Sequence, residues 1–435
     1  MRYPDSPQHS IHRISSKLIH ICTAMLMLTS MYCFADEPAK VKKWYFDGEI
    51  NELPLDKSKK LEFLQEYNED GQEHGQGKGW YKNGKPKYVY NYKNGKYHGE
   101  NKSFYKSGQL SEETTYKFGL KEGISNKYFE NGKLKVVTPY IDNLIEGVYK
   151  EFHRNGKLSV EIPHVSNKRH GLAKWYRRTG QLSEQITYKY HIKEGVAKKY
   201  YENGKVKVET PYTDDVIEGV YKEFHSNGKL SVEIPHVSNK RHGVAKWYRR
   251  TGQLSEQITY KYHIKEGVAK TYYENSKVKV ETPYIDGLIE GVYKEYHSNG
   301  KPSAEIPYKG SRRHGLAKWY YRTGQISEEI PFDYVQVKLG VAKKYYEDGK
   351  VKSETPYSHN RVEGVHKEYY LNGKPKAVME YKSNKLHGVT KRYFSTGQVS
   401  EISPYKYGRL NGVAKTFDEE GKLKSKVKYV DGVAE

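Results

Sequence analysis

The chain has 435 residues, and its 75 lysine and arginine residues outnumber its 53 aspartate and glutamate residues, for a net charge of +22. Its two cysteines are Cys22 and Cys33, which excludes a disulfide framework or a thiolate metal site in the rest of the chain. The excess of positive charge favours an anionic partner, or it serves to keep a tyrosine-rich surface soluble.

Residues 1–35 have the organisation of an export signal. A basic leader precedes an apolar run from Leu18 to Phe34, and Cys33 and Ala35 stand at positions −3 and −1 of a cleavage site before Asp36. We therefore expect an exported protein that is periplasmic, at the cell surface or secreted. In the alternative, residues 18–34 are retained and anchor the chain in a membrane.

Residues 36–70 form an irregular lead-in to the regular part of the chain. The segment from Trp44 to Gly48 is similar to the middle of a repeat, and Ser58 to Tyr67 predicts a short helix with Leu61 and Leu64 on one side. A degenerate hairpin and a capping segment of this kind would shield the end of a repeat array.

Residues 71–435 contain fifteen copies of a 24-residue repeat that opens with glycine. We number this glycine as position 0; a second glycine stands at position 9 in every repeat but one, where Ser276 replaces it. The opening glycines are Gly75, Gly99, Gly123, Gly147, Gly171, Gly195, Gly219, Gly243, Gly267, Gly291, Gly315, Gly340, Gly364, Gly388 and Gly412. A fixed period of this length indicates a repeat array, in which each repeat depends on its neighbours for stability.

The pattern inside the repeat predicts two strands. Position 5 is aromatic in all fifteen copies, position 1 is usually aliphatic, and position 11 is mostly leucine or valine. This period of two favours strands over helices. The aromatic row at position 5, to which we assign a structural role, includes Phe152, Tyr176, Tyr200, Phe224, Tyr248 and Tyr272.

The turn between the two strands is predicted to be a three-residue loop. Threonine precedes the second glycine in several repeats, as at Thr179, and a β-branched residue does not suit the positive φ that a two-residue turn requires there. In the longer loop only the glycine adopts the left-handed conformation. The turn glycines include Gly156, Gly180, Gly204, Gly228 and Gly252.

The loop also fixes the expected strand pairing. Position 5 would face position 11, position 3 would face position 13, and position 1 would face position 15. Phe152 would then lie opposite Leu158, and Val148 opposite Ile162, on a single apolar face. The prediction is an all-β fold: an elongated single sheet of stacked β-hairpins.

A longer period of 72 residues, or three repeats, is superimposed on the short one. Residues 147–218 and 219–290 differ at only seven of 72 positions, which indicates duplication of a long segment. Because no position within such copies is unique, a single catalytic centre is not expected there. One step measures 25 residues; the extra residue falls between Pro331 and Gly340 and predicts a bulge or a local kink.

The titratable residues form no recognisable catalytic or metal-binding pattern. His170 and His242 recur 72 residues apart, which is about 29 Å at six strands per block, so they cannot share one ion. Glutamate at position 14, as at Glu161, is interpreted most simply as a row of solvated carboxylates with weak ion pairs to lysine. We therefore expect no enzymatic activity, no cofactor and no metal.

The repeat G-V-x-K-x-Y-x-x-N-G-K-x-x-x-E-x-x-Y resembles the bacterial MORN-variant repeat, and the segment from Asn94 to Gly99 is similar to the MORN consensus itself. The resemblance implies an elongated sheet of stacked hairpins, usually without enzymatic activity, that acts as a scaffold or binding surface. Many such chains are labelled YwqK-like antitoxins, and some MORN proteins are associated with membranes or lipids. This chain departs from the pattern at position 2, where Tyr149 or Ala173 replaces a glycine.

These features lead to three functional hypotheses. The first is an exported, non-enzymatic scaffold that binds a protein partner or the cell envelope. The second is an electrostatic binder of an anionic lipid, a lipopolysaccharide or a glycan; nucleic acid is not expected as the partner of an exported protein. The third is a neutraliser of a partner toxin, in keeping with the antitoxin label.

Overall fold

A computed structural model describes residues 40–45, 50–51 and 60–435. The predicted export signal, residues 1–35, lies outside them. Every regular element within the described residues is a β-strand, and none of these residues belongs to a helix that could cross a membrane. The predicted all-β class of tandem hairpins is confirmed.

The described residues divide into two parts, the first made of those up to residue 123 with residues 130–132, and the second made of residues 124–129 and 133–435. Each part consists of antiparallel strands that follow one another in chain order. The strands of the first part are Lys40–Tyr45, Ile50–Asn51, Leu61–Tyr67, Glu73–Trp80, Pro86–Lys93, Lys96–Tyr97, Gly99–Phe104 and Leu110–Lys117, while Leu120–Tyr128 has residues in both parts.

The short helix predicted within the lead-in is wrong, because Leu61–Tyr67 is a strand. It pairs with Lys40–Tyr45 on one side and with Glu73–Trp80 on the other. Two neighbouring strands satisfy its backbone hydrogen bonds, whereas an isolated helix of this length is only marginally stable in water.

The second part repeats one hairpin. The first strands of its hairpins are Gly147–Phe152, Gly171–Tyr176, Gly195–Tyr200, Gly219–Phe224, Gly243–Tyr248, Ile264–Tyr272, Gly291–Tyr296, Gly315–Tyr320, Gly340–Tyr345, Gly364–Tyr369, Gly388–Tyr393 and Gly412–Phe417. The second strands are Leu134–Ile141, Leu158–Val165, Leu182–Lys189, Val206–Thr213, Leu230–Val237, Leu254–Lys261, Val278–Ile285, Pro302–Lys309, Ile326–Phe332, Val351–Ser358, Pro375–Lys382, Val399–Lys406 and Leu423–Val430.

Most second strands are followed by a strand of two residues. These short strands are Leu144–Ile145, Lys168–Arg169, Ile192–Lys193, Val216–Ile217, Lys240–Arg241, Leu288–Ile289, Arg312–Arg313, Arg361–Val362, Lys385–Leu386, Arg409–Leu410 and Val433–Ala434. Each first strand pairs with the second strand of its own repeat, and that second strand pairs with the first strand of the next repeat. Phe152 lies opposite Leu158, as predicted.

A β-bulge beside this pair shifts the register by one residue. Lys150 pairs with Glu161, and Val148 pairs with Pro163 rather than with Ile162 as predicted. The bulge gives the second strand one extra residue, so every later side chain of that strand changes face. The predicted single apolar face is wrong for this reason.

The buried residues lie on one face, which we call the core face; it carries positions 2, 4, 13, 15 and 17. In a representative cluster, Ile162, Ala173 and Tyr188 are 6%, 0% and 7% exposed, and Trp175 packs against them. The opposite face, which we call the ladder face, carries positions 1, 3, 5, 14 and 16. Val148 lies on the ladder face and is 37% exposed.

The loop that joins the paired strands has three residues, as predicted. The N–H of His153 donates to the carbonyl of Lys157, and the N–H of Gly156 donates to the carbonyl of His153, both at 2.8 Å. Gly156 has a φ of 88°, while Thr179 in the next loop is not in the left-handed region. The other predicted turn glycines, with φ between 78° and 93°, are Gly180, Gly204, Gly228 and Gly252.

The turn that leads into the next repeat is tighter, and the sequence pattern left its type undefined. Val165 pairs with Lys168, so the turn contains only Ser166 and Asn167. Their φ values are 48° and 66°. Positive φ at both central residues is the property of a type I′ turn.

The extra residue of the 25-residue step enlarges one of these turns and does not form the predicted bulge. Between Asp333 and Val337, the carboxylate Oδ1 of Asp333 accepts the N–H groups of Val335 and Val337 at 2.9 and 3.0 Å. The neighbouring strands still pair, with Glu328 opposite Lys344. A turn can absorb an added residue without breaking the ladder of strands.

Candidate binding surfaces

Within the described residues, no three His, Cys, Asp or Glu side chains lie close enough together to hold a metal ion. The features that recur are instead the two faces and the two edges of the hairpins. We call the edge with the three-residue loops the glycine-loop edge, and the edge with the two-residue turns the short-turn edge.

Lysine at position 3 and glutamate at position 14 meet on the ladder face. Lys198 Nζ lies 2.9 Å from Glu209 Oε1, and Lys270 Nζ lies 2.8 Å from Glu281 Oε1. Both lysine side chains are 33% exposed, so each ion pair contributes little to stability. The predicted pairing put position 3 opposite position 13, and the register shift puts it opposite position 14 instead.

The aromatic row at position 5 borders these ion pairs. Tyr296 donates a hydrogen bond from its hydroxyl to Glu281 Oε2 at 2.9 Å. Burial and then this hydrogen bond raise the pKa of Tyr296 to about 12. The residues predicted to form the row are all half-buried: Phe152, Tyr176, Tyr200, Phe224, Tyr248 and Tyr272.

A row of exposed aliphatic side chains runs along the ladder face at position 1. Its first member, Ile124, is 56% exposed, and the later members are between 36% and 47% exposed. Each later member pairs with position 16, as Val148 does with Pro163. The later members are Val148, Leu172, Val196, Val220, Val244, Val268, Val292, Leu316, Val341, Val365, Val389 and Val413. The prediction that position 1 belongs to the buried apolar face is wrong, because the bulge moves its predicted partners to the other face.

At the glycine-loop edge, the side chains of one loop bind the backbone of the next loop. Asn155 Nδ2 donates to the carbonyl of Arg178 at 2.8 Å, and Lys157 Nζ donates to the carbonyl of Thr179 at 2.6 Å. A third contact starts from position 6, where histidine, arginine or tyrosine reaches the next position-5 carbonyl. The polar side chains of this edge therefore serve the fold.

At the short-turn edge, the residue at position 23 follows the 72-residue period. In most repeats it is glutamate, and its carboxylate accepts an N–H from the next turn, as Glu146 Oε2 does from Ser166 at 2.7 Å. In the remaining type of repeat it is histidine, which packs on an aromatic ring of the next turn; the His170 and Tyr190 centroids are 4.5 Å apart. The corresponding pairs are His98–Phe118, His242–Tyr262, His314–Tyr334 and His387–Tyr407.

The tyrosine of such a pair is exposed, and its backbone is strained. Tyr190 is 50% exposed, and the φ values of Tyr190 and His191 are 51° and 77°. Tyr262 and His263 have the same φ values. A non-glycine residue in the left-handed conformation costs about 1–2 kcal/mol, and asparagine and glycine are the usual occupants of this turn. Sequence reasoning missed these residues, although Tyr-His in a two-residue turn is an identifiable signal once the turn is located.

Hydrogen bonds hold the strained turn against a basic segment of the preceding repeat. The N–H of His191 donates to the carbonyl of Arg169 at 2.8 Å, and the N–H of Arg169 donates to His191 Nδ1 at 3.2 Å. The Arg169 guanidinium lies over the Tyr188 ring, 5.6 Å from its centroid. Lys168 and Lys189 are exposed beside the turn. Each turn therefore combines a half-exposed ring with several cations.

The fold and these surfaces define a tandem β-hairpin repeat protein. Segments that together make up more than half of the chain match the MORN repeat variant family: residues 73–94, 97–118, 121–142, 145–166, 169–190, 193–214, 217–238, 241–262, 265–286, 289–309, 313–334, 338–359, 362–383, 386–407 and 410–431. The chain belongs to the MORN repeat variant family.

Solved structures that match most of this chain are much longer than it. The crystal structure of TcdB2-TccC3-TEV is 11% identical over 85% of this chain and 22% of that chain, with a TM-score of 0.15. The Tc holotoxin pore of Photorhabdus luminescens is also 11% identical, over 91% of this chain and 24% of that chain, with the same TM-score of 0.15. The chain thus spans about a quarter of the length of these structures, and so low a score supports no functional inference. No curated protein matches the chain.

Proposed function

We propose that the protein is a non-enzymatic, exported scaffold that binds a protein partner of the cell envelope along its ladder face. The observation that carries the proposal is the exposed aliphatic row at position 1. Each of its side chains is more than a third exposed, although valine and leucine gain free energy when they are buried. A contiguous row of exposed apolar side chains is typical of an interaction surface.

The regularity of the row supports a partner that makes many similar contacts. Neighbouring members are separated by two strands, which is about 10 Å. The Lys–Glu pairs of the same face run beside the row and supply charged groups of both signs. An apolar row flanked by polar groups has the composition of a protein interface.

Photo-crosslinking in the native cell tests this proposal. A benzophenone side chain at Val220, on the ladder face, should crosslink one protein partner, whereas the same group at the exposed Glu202 on the glycine-loop edge should not. The triple change Val196→Ser, Val220→Ser and Val244→Ser should abolish binding of that partner, since it removes adjacent apolar contacts. Equal crosslinking from both positions, or full binding by the triple variant, would contradict the proposal.

Export is a separate element of the proposal, and the N-terminus of the natural protein tests it. The basic leader, the apolar run and the small residues before Asp36 support cleavage after Ala35. Mass spectrometry of the protein purified from cell fractions should find Asp36 as the first residue. A protein that starts at Met1 in the soluble fraction would contradict export and favour the toxin neutraliser.

A second candidate function, the binding of an anionic lipid, lipopolysaccharide or glycan, is favoured by cations that lie over aromatic rings. Lys193 Nζ is 4.8 Å from the centroid of Tyr212, and the Arg241 guanidinium is 4.5 Å from that of Tyr260. Electrostatic binding of this kind weakens steeply with salt, whereas an interface dominated by apolar burial does not. Binding of the native partner at low and high salt therefore separates the two candidates.

A further inference from the structure

We infer that the tyrosine turns of the short-turn edge are binding sites for short acidic carbohydrate chains, with one site in each 72-residue block after the first, where Phe118 replaces the tyrosine. The inference rests on the anionic-ligand candidate and concerns a different surface from the ladder face. The two matching sites contain Tyr190 with His191 and Tyr262 with His263.

The fold does not require a strained turn at these places. The same chain builds the two-residue turn from Asn94 and Gly95, with φ values of 51° and 74°, and from Ser166 and Asn167. These residues tolerate the left-handed conformation far better than tyrosine does. Strain that the fold does not need is typically stored at functional sites.

Duplication accounts for the identity of the Tyr190 and Tyr262 sites, but two later blocks have diverged and retain the tyrosine, at Tyr334 and Tyr407. At the enlarged turn, Tyr334 is 65% exposed and stacks on His314 with centroids 3.8 Å apart and an interplanar angle of 21°. Tyr334 is not in the left-handed region. The exposed tyrosine on histidine therefore persists when the turn type changes, so turn geometry is not the reason for its presence.

The chemistry of the site fits a sugar ring that carries an acidic group. The Tyr190 ring contacts His170 at an interplanar angle of 50°, and half of the residue remains exposed, so its ring can serve as an apolar platform for the C–H face of a pyranose. Lys168 and Lys189 are exposed beside the turn. Cationic donors of this kind form strong hydrogen bonds with carboxylate or sulfate oxygens.

The distribution of charge argues against a continuous polyanion. Consecutive sites in the second part of the chain are separated by six strands, which is about 29 Å. The repeat between them exposes Asp214, Asp215 and Glu218 at the same edge, which would repel a polyanion that runs past it. Single-stranded nucleic acid stacks successive bases on closely spaced aromatic rings, and these rings are too far apart for that.

Separate short acidic chains on a dense glycan surface therefore match the sites best. Each site holds one acidic chain, and several sites on one protein engage neighbouring chains. Linking of several weak sites raises the overall affinity without new contacts. The 72-residue period then sets the valency of the protein.

Binding of the full-length protein to immobilised oligosaccharides tests the inference. The probes are acidic oligomers of galacturonate, glucuronate and sialate, with a neutral galactose oligomer, polyglutamate and oligothymidylate as comparisons. We expect an acidic oligosaccharide to bind and the galactose oligomer not to bind. The combined change Tyr190→Ser, Tyr262→Ser, Tyr334→Ser and Tyr407→Ser should lower affinity by at least about tenfold, the effect of losing a stacking partner.

Matched variants separate loss of the site from loss of the fold. Serine is the residue that the chain itself uses in the corresponding turns at Ser166 and Ser238, so the tyrosine variants should fold. The control changes Ser166→Ala and Ser238→Ala should leave affinity within about twofold of the unchanged protein. The triple valine variant of the ladder face should also retain oligosaccharide binding, even if the proposed protein interface fails.

Three results would overturn the inference. They are failure of the unchanged protein to bind any acidic oligosaccharide, unchanged affinity in the folded tyrosine variant, and tyrosine-dependent binding of polyglutamate or oligothymidylate that equals or exceeds binding of the acidic oligosaccharides. The last result would assign the sites to an acidic protein segment or to nucleic acid.

Discussion

At the glycine-loop edge, polar side chains of one loop bind the backbone of the next, whereas at the short-turn edge one type of repeat replaces such a bond by a ring contact. Lys157 donates to the Thr179 carbonyl at the first edge, and Glu146 accepts the Ser166 N–H at the second. His170 instead packs on the half-exposed Tyr190. The two edges thus differ in how much side-chain surface remains exposed to a binding partner after folding.

This difference shows where a repeat protein can vary without loss of its fold. At the glycine-loop edge the donors also change with the type of repeat, since Asn155 and Lys157 give way to Thr179 and Gln181 in the next repeat. The left-handed residue of this edge is nevertheless glycine in every repeat but the one with Ser276. The short-turn edge follows the longer period and places tyrosine in a conformation that suits asparagine or glycine. We therefore assign a structural role to the side chains of the first edge and propose recognition for the second.

The largest expected effect on stability distinguishes the core face from the ladder face. Ile162→Ala on the core face should lower the free energy of unfolding by about 2–4 kcal/mol, because a 6% exposed side chain leaves a cavity. Val148→Ala on the ladder face should cost no more than about 1 kcal/mol, because that side chain is already 37% exposed. Urea denaturation of both variants measures the difference. Equal losses of stability in the two variants would support the single apolar face that the sequence pattern predicts.

The next effect concerns the glycine loop. Gly156→Ser should destabilise the protein by about 1–2 kcal/mol, because φ is 88° there and an added Cβ would lie 3.2 Å from Lys133 Cδ. The reverse change, Ser276→Gly, removes the same strain at a φ of 62° and should stabilise the protein by roughly 1 kcal/mol. Thermal unfolding of the two variants should shift in opposite directions; shifts of the same sign would refute the assignment.

At the short-turn edge, replacement of the native turn residues should raise the stability of the protein, whereas Gly156→Ser should lower it. The double change Tyr190→Asn and His191→Asn should stabilise the protein by about 1 kcal/mol, since relief of the strain at two left-handed residues outweighs the lost ring contact with His170. Asparagine at 191 keeps an acceptor for the Arg169 N–H, as Asn167 does for the Ile145 N–H. Hydrogen exchange of the turn amides, together with urea denaturation, measures the gain. The matched change Ser166→Asn should have a smaller effect, because Ser166 has no ring contact to lose and tolerates the turn better than tyrosine does. A loss of stability in the first variant would show that Tyr190 serves the fold.

The smallest effect concerns the ladder face and is visible at the extremes of pH. The pKa of Tyr296 is raised to about 12, so its contribution to stability is complete below pH 10, the ordinary tyrosine value, and is lost as the pH rises towards 12. The pKa of Glu281 is lowered, mainly by its hydrogen bond with Lys270, so its contribution is present above pH 4.5 and is lost in more acidic solution. Tyr296→Phe should reduce the loss of stability between pH 10 and pH 12. An identical alkaline profile in both proteins would contradict this account.

Much of the fold follows from the period and from local turn chemistry. Glycine at position 9, with threonine before it at Thr179, defines the three-residue loop and the pairing of Phe152 with Leu158. Both are local features, because they depend on the φ values that individual residues tolerate. The family resemblance of the repeat is confirmed by the matched segments.

The register beyond the loop could not be obtained in the same way. The bulge inserts one residue into the second strand, so the side chains beyond it change face. They still alternate between the two faces, so the sequence pattern of the strand does not reveal the bulge. Charge complementarity was the available signal, because only the shifted register places Lys150 opposite Glu161. The predicted helix that ends at Tyr67 failed for a related reason: pairing with two distant strands overrides a weak local preference.

The binding surfaces were the least predictable feature. The exposed row at position 1 depends on the register, and the Tyr190 turn depends on a turn type that the sequence pattern left undefined. For the histidine at position 23, the sequence spacing excluded a metal ion shared between His170 and His242 and predicted no ring contact. Its contact with the aromatic residue twenty positions later links two repeats, which no pattern within one repeat contains.

Hydroxyl-radical footprinting of the full-length protein with and without an acidic oligosaccharide tests most directly whether the short-turn edge is the recognition surface. The account predicts protection of Tyr190, Tyr262, Tyr334 and Tyr407 when the oligosaccharide is bound, and unchanged reactivity of the position-6 tyrosines of the glycine-loop edge, such as Tyr201 and Tyr273. Protection of Tyr201 and Tyr273, with Tyr190 and Tyr262 left reactive, would contradict the division of roles between the two edges.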